Sequence, residues 1–386
     1  MLHSGIMRLG RSSGSRVRAL FEKEFPLTRG LNFSAGPAAL PEAVLRQAQS
    51  ELLDWGGARA SVMEISHRSA EFMALAEESE RDLRDLLAIP SDYRVLFLQG
   101  GATQHFAQIP MNFARRDAVA DYVVTGAWGE KAVREGSPYV QARVAASSIA
   151  THYTSIPARA EWDLDPSAAY VHYTPNETIH GVEFQQVPEV GEVPLFADMS
   201  SDILSRPLDV SRFGLIYAGT QKNIGASGLV IMIVREDLLA RCPNDIAKIF
   251  SYAEHAAQGS LLNTPNTFGW YLAGLVFKWL KAEGGLVAIG ARNRAKADLL
   301  YAAIDASGFY THNVRADARS LMNVPFTLPR PELDALFLAE SREAGLLALK
   351  GHKAIGGMRA SLYNAVSLDA VRQLVDFMRD FARRNG

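Results

Sequence analysis

The chain has 386 residues, 48% of them apolar and 21% charged, with a formal net charge of -2 and a pI near 6.5. This balance excludes the basic footprint of a nucleic-acid or anionic-membrane binder, and no stretch approaches the ~20 consecutive apolar residues of a membrane span. One cysteine, Cys242, excludes an intrachain disulfide and any Cys-based metal site; its RCPN surroundings give no reason for an activated thiolate, and a reducing, cytoplasmic setting is expected.

From Met1 to Phe21 the only charged residues are Arg8, Arg11, Arg16 and Arg18, set among Ser and Gly. That composition allows a transit peptide, a disordered extension or an upstream start codon, so residues 1–28 are left out of the fold argument. Beyond them, short apolar runs alternate with helical periodicity, the pattern of an α/β protein with a mostly parallel sheet flanked by helices. Strands are predicted over 95–98, 122–124, 170–172, 193–197, 215–217 and 228–234. The run TFGWYLAGLVFKWL over 267–280 is apolar nearly all round and predicts a fully buried helix. Gly284-Gly285 ends it. A helix from about 286, a strand within 319–326, a helix over 332–344, a strand within 358–363 and a closing helix then read as a smaller α+β domain. The expected division is a large domain over 42–283 and a small one formed by 29–41 and 284–386.

In open α/β sheets ligands bind beyond the carboxyl ends of the strands, and there the sequence concentrates its chemistry. Lys222 sits in a glycine-rich turn between two apolar strands (IYAGTQKNIGASGLVIMIV), and Asp198 follows the strand before it. A pyridoxal-phosphate (PLP) enzyme needs such a pair: a lysine to hold the cofactor as a Schiff base and an acid to keep the pyridine nitrogen protonated. Desolvation lowers a lysine pKa toward the nucleophilic free amine. Gly100-Gly101-Ala102-Thr103, between a strand and a helix, suits a phosphate, since glycines admit the anion and a helix N-terminus offers free amides. Trp128, after the strand DYVV, offers a flat face to a flat ring. Asn176 and Thr178, in TPNETIHG, could bond a ring hydroxyl or a phosphate. Two basic clusters are candidates for substrate anions: His67 and Arg68 at the start of an amphipathic helix, and His352, Lys353 and Arg359 in GHKAIGGMRAS. Taken singly, each has a plainer reading: a solvated loop lysine, a capped helix, a core tryptophan, an Asx turn, a basic face. A nucleotide-binding α/β protein is an alternative for the glycine turn, but no Gly-x-Gly-x-x-Gly fingerprint occurs.

Read together, NFSAGPAALP (32–41), SVMEISHRS (61–69), ADMSSDILSRP (197–207), YAGTQKNIGASG (217–228), NTPNTF (263–268) and LKGHKAIGGMRASLYNA (349–365) resemble the phosphoserine aminotransferases, a class V, fold-type I family of PLP enzymes of serine biosynthesis. The similarity runs from about Leu31 to the C-terminus. It implies transamination between L-glutamate and 3-phosphohydroxypyruvate, with 4-phosphohydroxythreonine a further substrate of bacterial relatives in pyridoxine biosynthesis. It also implies a homodimer with active sites at the interface. Carried over by residue, Lys222 is the Schiff-base lysine, Asp198 pairs with the pyridine nitrogen and Trp128 stacks on the ring. Ala102, Thr103 and Gln221 hold the cofactor phosphate, Thr178 the ring hydroxyl, and Asn263 and Thr264 reach that phosphate from the other subunit. His67, Arg68, His352, Lys353 and Arg359 match the substrate-anion positions. Some members carry arginine where this chain has Thr103 and Lys353. Thr103 offers neutral hydrogen bonds only, and Lys353 lacks the bidentate fork. Sister fold-type I enzymes acting on glyoxylate would share the cofactor residues without needing the extra cations.

Overall fold

A computed structural model describes residues 29–114 and 116–386. The reading of the N-terminal extension falls outside them. The centre is a seven-stranded sheet. In chain order its strands are β1 (Tyr93–Gly100), β2 (Val119–Val124), β3 (Gln141–Ser147), β4 (Val171–Tyr173), β5 (Leu195–Asp198), β6 (Leu215–Gly219) and β7 (Gly228–Arg235), and in space they run β1-β7-β6-β5-β4-β2-β3. Only β7 runs antiparallel to its neighbours, pairing Ile231 with Phe97 on one side and Ala218 on the other. Its sequence, GLVIMIVR, is almost continuously apolar because both faces of the sheet are covered, as a strand buried on two sides requires.

The helices on these faces follow from the same pattern. α1 (Glu42–Ser50), α2 (Ala70–Leu87) and α5 (Thr267–Ala282) share one core with Phe97, Ile231 and Ile233. α3 (Ala102–Phe113) and α4 (Ala127–Gly136) share the opposite one with Leu96, Leu98, Val230 and Met232. α5 buries most of its surface, with Trp270 stacked 4.2 Å from Phe97, but it is not fully buried as its composition predicts: Lys278, Lys281 and Ala282 are exposed, the lysines pairing with acids of α2. Gly274 permits its close approach to α2: a Cβ there would lie 2.6 Å from Ser79 Oγ. A third core gathers Phe33 with side chains from α6 (Gly285–Asp305), α7 (Leu333–Glu343) and α8 (Leu368–Asn385), over the antiparallel pair Asn323–Phe326 and Met358–Ser361. The N-terminal Leu31–Asn32 joins that region by pairing in parallel with Leu346–Leu347.

Three further expectations need correction. Asp198 is the last residue of β5 rather than the first of the following loop, because the strand begins two residues later than the apolar run. His67 and Arg68 lie in the turn before α2, whose N-cap is Ser69, the hydroxyl accepting from Phe72 N–H at 3.3 Å. The strand predicted within 319–326 occupies only Asn323–Phe326.

Candidate active site

The carboxyl ends of β1, β2, β4, β5 and β6 converge on a cavity of about 290 Å³. Its wall includes Gly101, Ala102, Thr103, Trp128, Asn176, Thr178, Asp198, Gln221, Lys222, His352 and Arg359, so eleven sequence-predicted residues from both halves of the chain meet there. Lys353, His67, Arg68, Asn263 and Thr264 are not among its lining. Arg68, Asn263, Thr264 and Lys353 are exposed, and the Thr264 carbonyl accepts a hydrogen bond from Gln99 Nε2. A larger cleft of about 850 Å³ lies between α1, α2 and α5, is lined mainly by apolar and surface side chains, and contains none of the predicted residues.

Lys222 is buried after the end of β6, where the turn that carries it is tied down by Ile224 and Gly225 amides on the Thr220 carbonyl. Its Nζ donates to Thr178 Oγ1 at 2.8 Å and stands 5.7 Å from the centroid of the Trp128 ring. Burial pulls the ammonium pKa down to about 8; Asp198 opposes the shift and Arg359 adds to it. The amine is therefore close to its nucleophilic form at physiological pH.

Asp198 is also buried, and desolvation raises its pKa against the hydrogen bonds from Ser200. Ser200 N–H (3.0 Å) and Oγ–H (2.5 Å) both donate to Oδ1, while Gly219 N–H donates to the Ser200 hydroxyl, linking the ends of β5 and β6. Oδ1 is thus fixed by two bonds, in a residue that lines the cavity.

Trp128 opens α4, and its indole Nε1–H is buried without a partner. What holds this turn is Glu177, which the sequence reading passed over between Asn176 and Thr178. The fully buried Glu177 carboxylate accepts from Trp128 N–H at 3.1 Å and Gly129 N–H at 2.8 Å, capping the helix from another strand. Burial lifts its pKa to about 7 against those two bonds. Gly126 leaves it room, since a Cβ there would collide with the Glu177 carboxyl. Asn176 faces the cavity, but its side chain is committed to Ser201 Oγ, Asn323 Oδ1 and Ser320 Oγ, so it braces the loop. Ala35 and Gly36, inside the NFSAGPAALP segment, also line the cavity.

Arg359 comes from the strand Met358–Ser361 and crosses to the cavity, where Nη1 donates to the Thr178 carbonyl at 3.3 Å. It is partly buried, desolvation lowers its pKa, and no described carboxylate pairs with it. An unpaired, half-buried guanidinium suits a ligand carboxylate. His352 lies beside it, with burial, Arg359 and Lys353 depressing its pKa. Cys242 is remote from the cavity, and burial raises its thiol pKa to about 11, so it is no nucleophile.

A lysine near neutrality, an acid with one fixed oxygen, an orphaned indole N–H and an uncapped helix N-terminus at Gly101 form a donor set that fits pyridoxal phosphate. The family profile for class-V aminotransferases matches residues 31–374. The chain belongs to the class-V aminotransferase family, and it is an aminotransferase. A phosphoserine aminotransferase of Stenotrophomonas maltophilia is 60% identical over 361 residues, covering 93% of this chain and all of that protein. The solved phosphoserine aminotransferase of Bacillus circulans subsp. alkalophilus superposes with a TM-score of 0.91 at 47% identity, over 93% of this chain and all of the other. A PLP-bound phosphoserine aminotransferase from Trichomonas vaginalis superposes with a TM-score of 0.87 at 39% identity, over 91% of this chain and all of that one.

Proposed function

We propose that this chain transfers the amino group of L-glutamate to 3-phosphohydroxypyruvate, giving 2-oxoglutarate and O-phospho-L-serine, the aminotransfer step of serine biosynthesis. The observation that carries the reading is Lys222 Nζ, buried and bonded to Thr178 Oγ1 in a cavity shared with Asp198, Trp128 and the unpaired Arg359. The full-length similarity to enzymes named phosphoserine aminotransferase supports the phosphorylated substrate. When bound, pyridoxal phosphate supplies an electron-withdrawing ring and stores the amino group between the two half-reactions.

The roles assigned to the chain's own residues follow from their placement. Lys222 would hold the cofactor, and its Nζ is the group placed to carry a proton to and from the substrate carbon. Asp198 keeps a proton on the ring nitrogen. Trp128 covers the ring face, with Glu177 fixing the turn. Thr178, whose Oγ1 accepts from Lys222 Nζ, would offer its hydroxyl to the ring hydroxyl. Ala102 and Thr103, at the start of α3, and Gln221 receive the phosphate. Arg359 takes the carboxylate common to both substrates.

His67, Arg68, Asn263, Thr264 and Lys353 fit the same reading through a homodimer. Asn263 and Thr264 of a second copy complete the phosphate site, and His67, Arg68, His352 and Lys353 together hold the substrate's distal anion. Among the described residues no helix is long and apolar enough to cross a membrane, which is consistent with the cytoplasmic enzyme proposed here. The division into a large domain (42–283) and a small one (29–41 and 284–386) belongs to this proposal as well.

The test is a half-reaction assay. The enzyme is converted with L-glutamate, cleared of it, and offered one oxo acid at a time while its visible spectrum is followed. 3-Phosphohydroxypyruvate should restore the starting spectrum about a hundredfold faster than glyoxylate or pyruvate. Equal rates with glyoxylate would reassign the enzyme to a sister aminotransferase.

A further inference from the structure

Ala102, Thr103 and Gln221, the residues of this chain proposed to receive the cofactor phosphate, carry no charge. Ala102 and Thr103 begin α3, Gly101 at the N-cap provides no side-chain cap, and Thr103 offers a hydroxyl and no charge. A dianionic phosphate held by backbone amides and hydroxyls alone gains less than one that also meets a fixed charge, since hydrogen bonds between ionised partners are roughly twice as strong as neutral ones.

The missing charge stands one helical turn away, on a neighbouring element. Lys131 lies on α4, three residues after Trp128, and its Nζ donates to Thr103 Oγ1 at 3.2 Å. The same ammonium stands 5.5 Å from the Trp128 ring centroid. It pairs with no described carboxylate, although acids flank it. Glu130 accepts from the Tyr153 hydroxyl at 2.5 Å, and Glu135 is 3.6 Å from Arg134. A lysine that rests on a hydroxyl and an aromatic ring beside an anion cradle is a cation without its counter-charge.

We propose that Lys131 is a cofactor-phosphate residue. Its ammonium, oriented by the Thr103 hydroxyl and the Trp128 ring, supplies at this site the positive charge that residue 103 does not. The inference rests on the reading that Ala102 and Thr103 hold the cofactor phosphate.

The experiment measures the affinity of the cofactor-free dimer for pyridoxal phosphate and, separately, for pyridoxal, which lacks the phosphate. Lys131→Met should weaken pyridoxal phosphate binding about tenfold and leave pyridoxal binding unchanged. Lys131→Arg should stay within about twofold of the parent, and Thr103→Arg added to Lys131→Met should recover most of the loss. Lys131→Gln, measured in parallel, covers the case in which the methionine variant fails to fold. Unchanged pyridoxal phosphate affinity in the neutral variants would overturn the proposal. So would an equal loss for both ligands, which would make Lys131 a packing residue for Trp128. A raised KM for the phosphorylated oxo acid with cofactor affinity intact would move the ammonium to the substrate and overturn it too. A parent enzyme that binds the two ligands equally would instead refute the phosphate reading of Ala102 and Thr103, a separable failure.

Discussion

Glu177 caps the first turn of α4 at Trp128: its two carboxylate oxygens receive the Trp128 and Gly129 amides at 3.1 and 2.8 Å. The contact joins the segment after β4, which carries Thr178, to the first turn of α4, which carries the aromatic ring. Glu177→Ala should therefore release Trp128 from its position. Losing the cap costs about 1–2 kcal/mol of stability, and cofactor affinity should fall with a change in near-UV circular dichroism. A variant with parent-like dichroism and affinity would show that Trp128 is held by other contacts.

Asp198→Asn keeps the size and one acceptor oxygen, so the bonds from Ser200 to Oδ1 can persist. It removes the negative charge proposed to hold a proton on the ring nitrogen. Turnover is expected to fall about a hundredfold or more, with thermal stability nearly unchanged. Steady-state kinetics beside a melting curve separate this outcome from simple unfolding.

The pH dependence of cofactor loading follows from Lys222. Burial lowers its ammonium pKa to about 8, below the ordinary lysine range. Only the deprotonated amine attacks the cofactor aldehyde, so the loading rate should rise with pH through about 8 and level off above it. Stopped-flow absorbance across that range measures the inflection; one near the ordinary lysine value would place Lys222 in water rather than in the closed cavity.

Much of this site was legible in the sequence, because strand ends announce themselves. The apolar runs before Thr103, Trp128, Thr178, Asp198 and Lys222 place each of them at the carboxyl edge of one sheet, and the structure brings them together. What was not legible has physical causes. β3 was missed because its QARVAAS sequence lacks a clear apolar alternation, as an edge strand with Val144 53% exposed permits. Glu177 was missed because an acid in a loop looks solvated; only the fold shows two amides waiting for it. Lys131 was missed because its position three residues past Trp128 says nothing about Thr103 until α3 and α4 pack together. Gly126, directly before the helix, was the one local hint that something bulky sits against that turn.

His67 and Arg68 lie outside the cavity of a single chain, and the proposed dimer gives them a use. Lys222→Ala and Arg68→Ala should each be inactive alone if each site draws on both subunits. Mixed and re-equilibrated, they should regain roughly a quarter of parental activity, because half of the dimers then carry one complete site. No recovery, in a sample shown to exchange subunits, would show that Arg68 and Lys222 do not reach one site from different chains.

The most direct measurement is the visible absorbance of Lys222→Ala incubated with pyridoxal phosphate. Lys222 Nζ is the buried amine bonded to Thr178 Oγ1 within the cavity, and it is the group proposed to form the covalent link. The parent enzyme should show the yellow band of bound cofactor, and the variant should lose both that band and turnover. A variant that remains yellow and active would contradict the assignment of Lys222, and with it the mechanism built on this site.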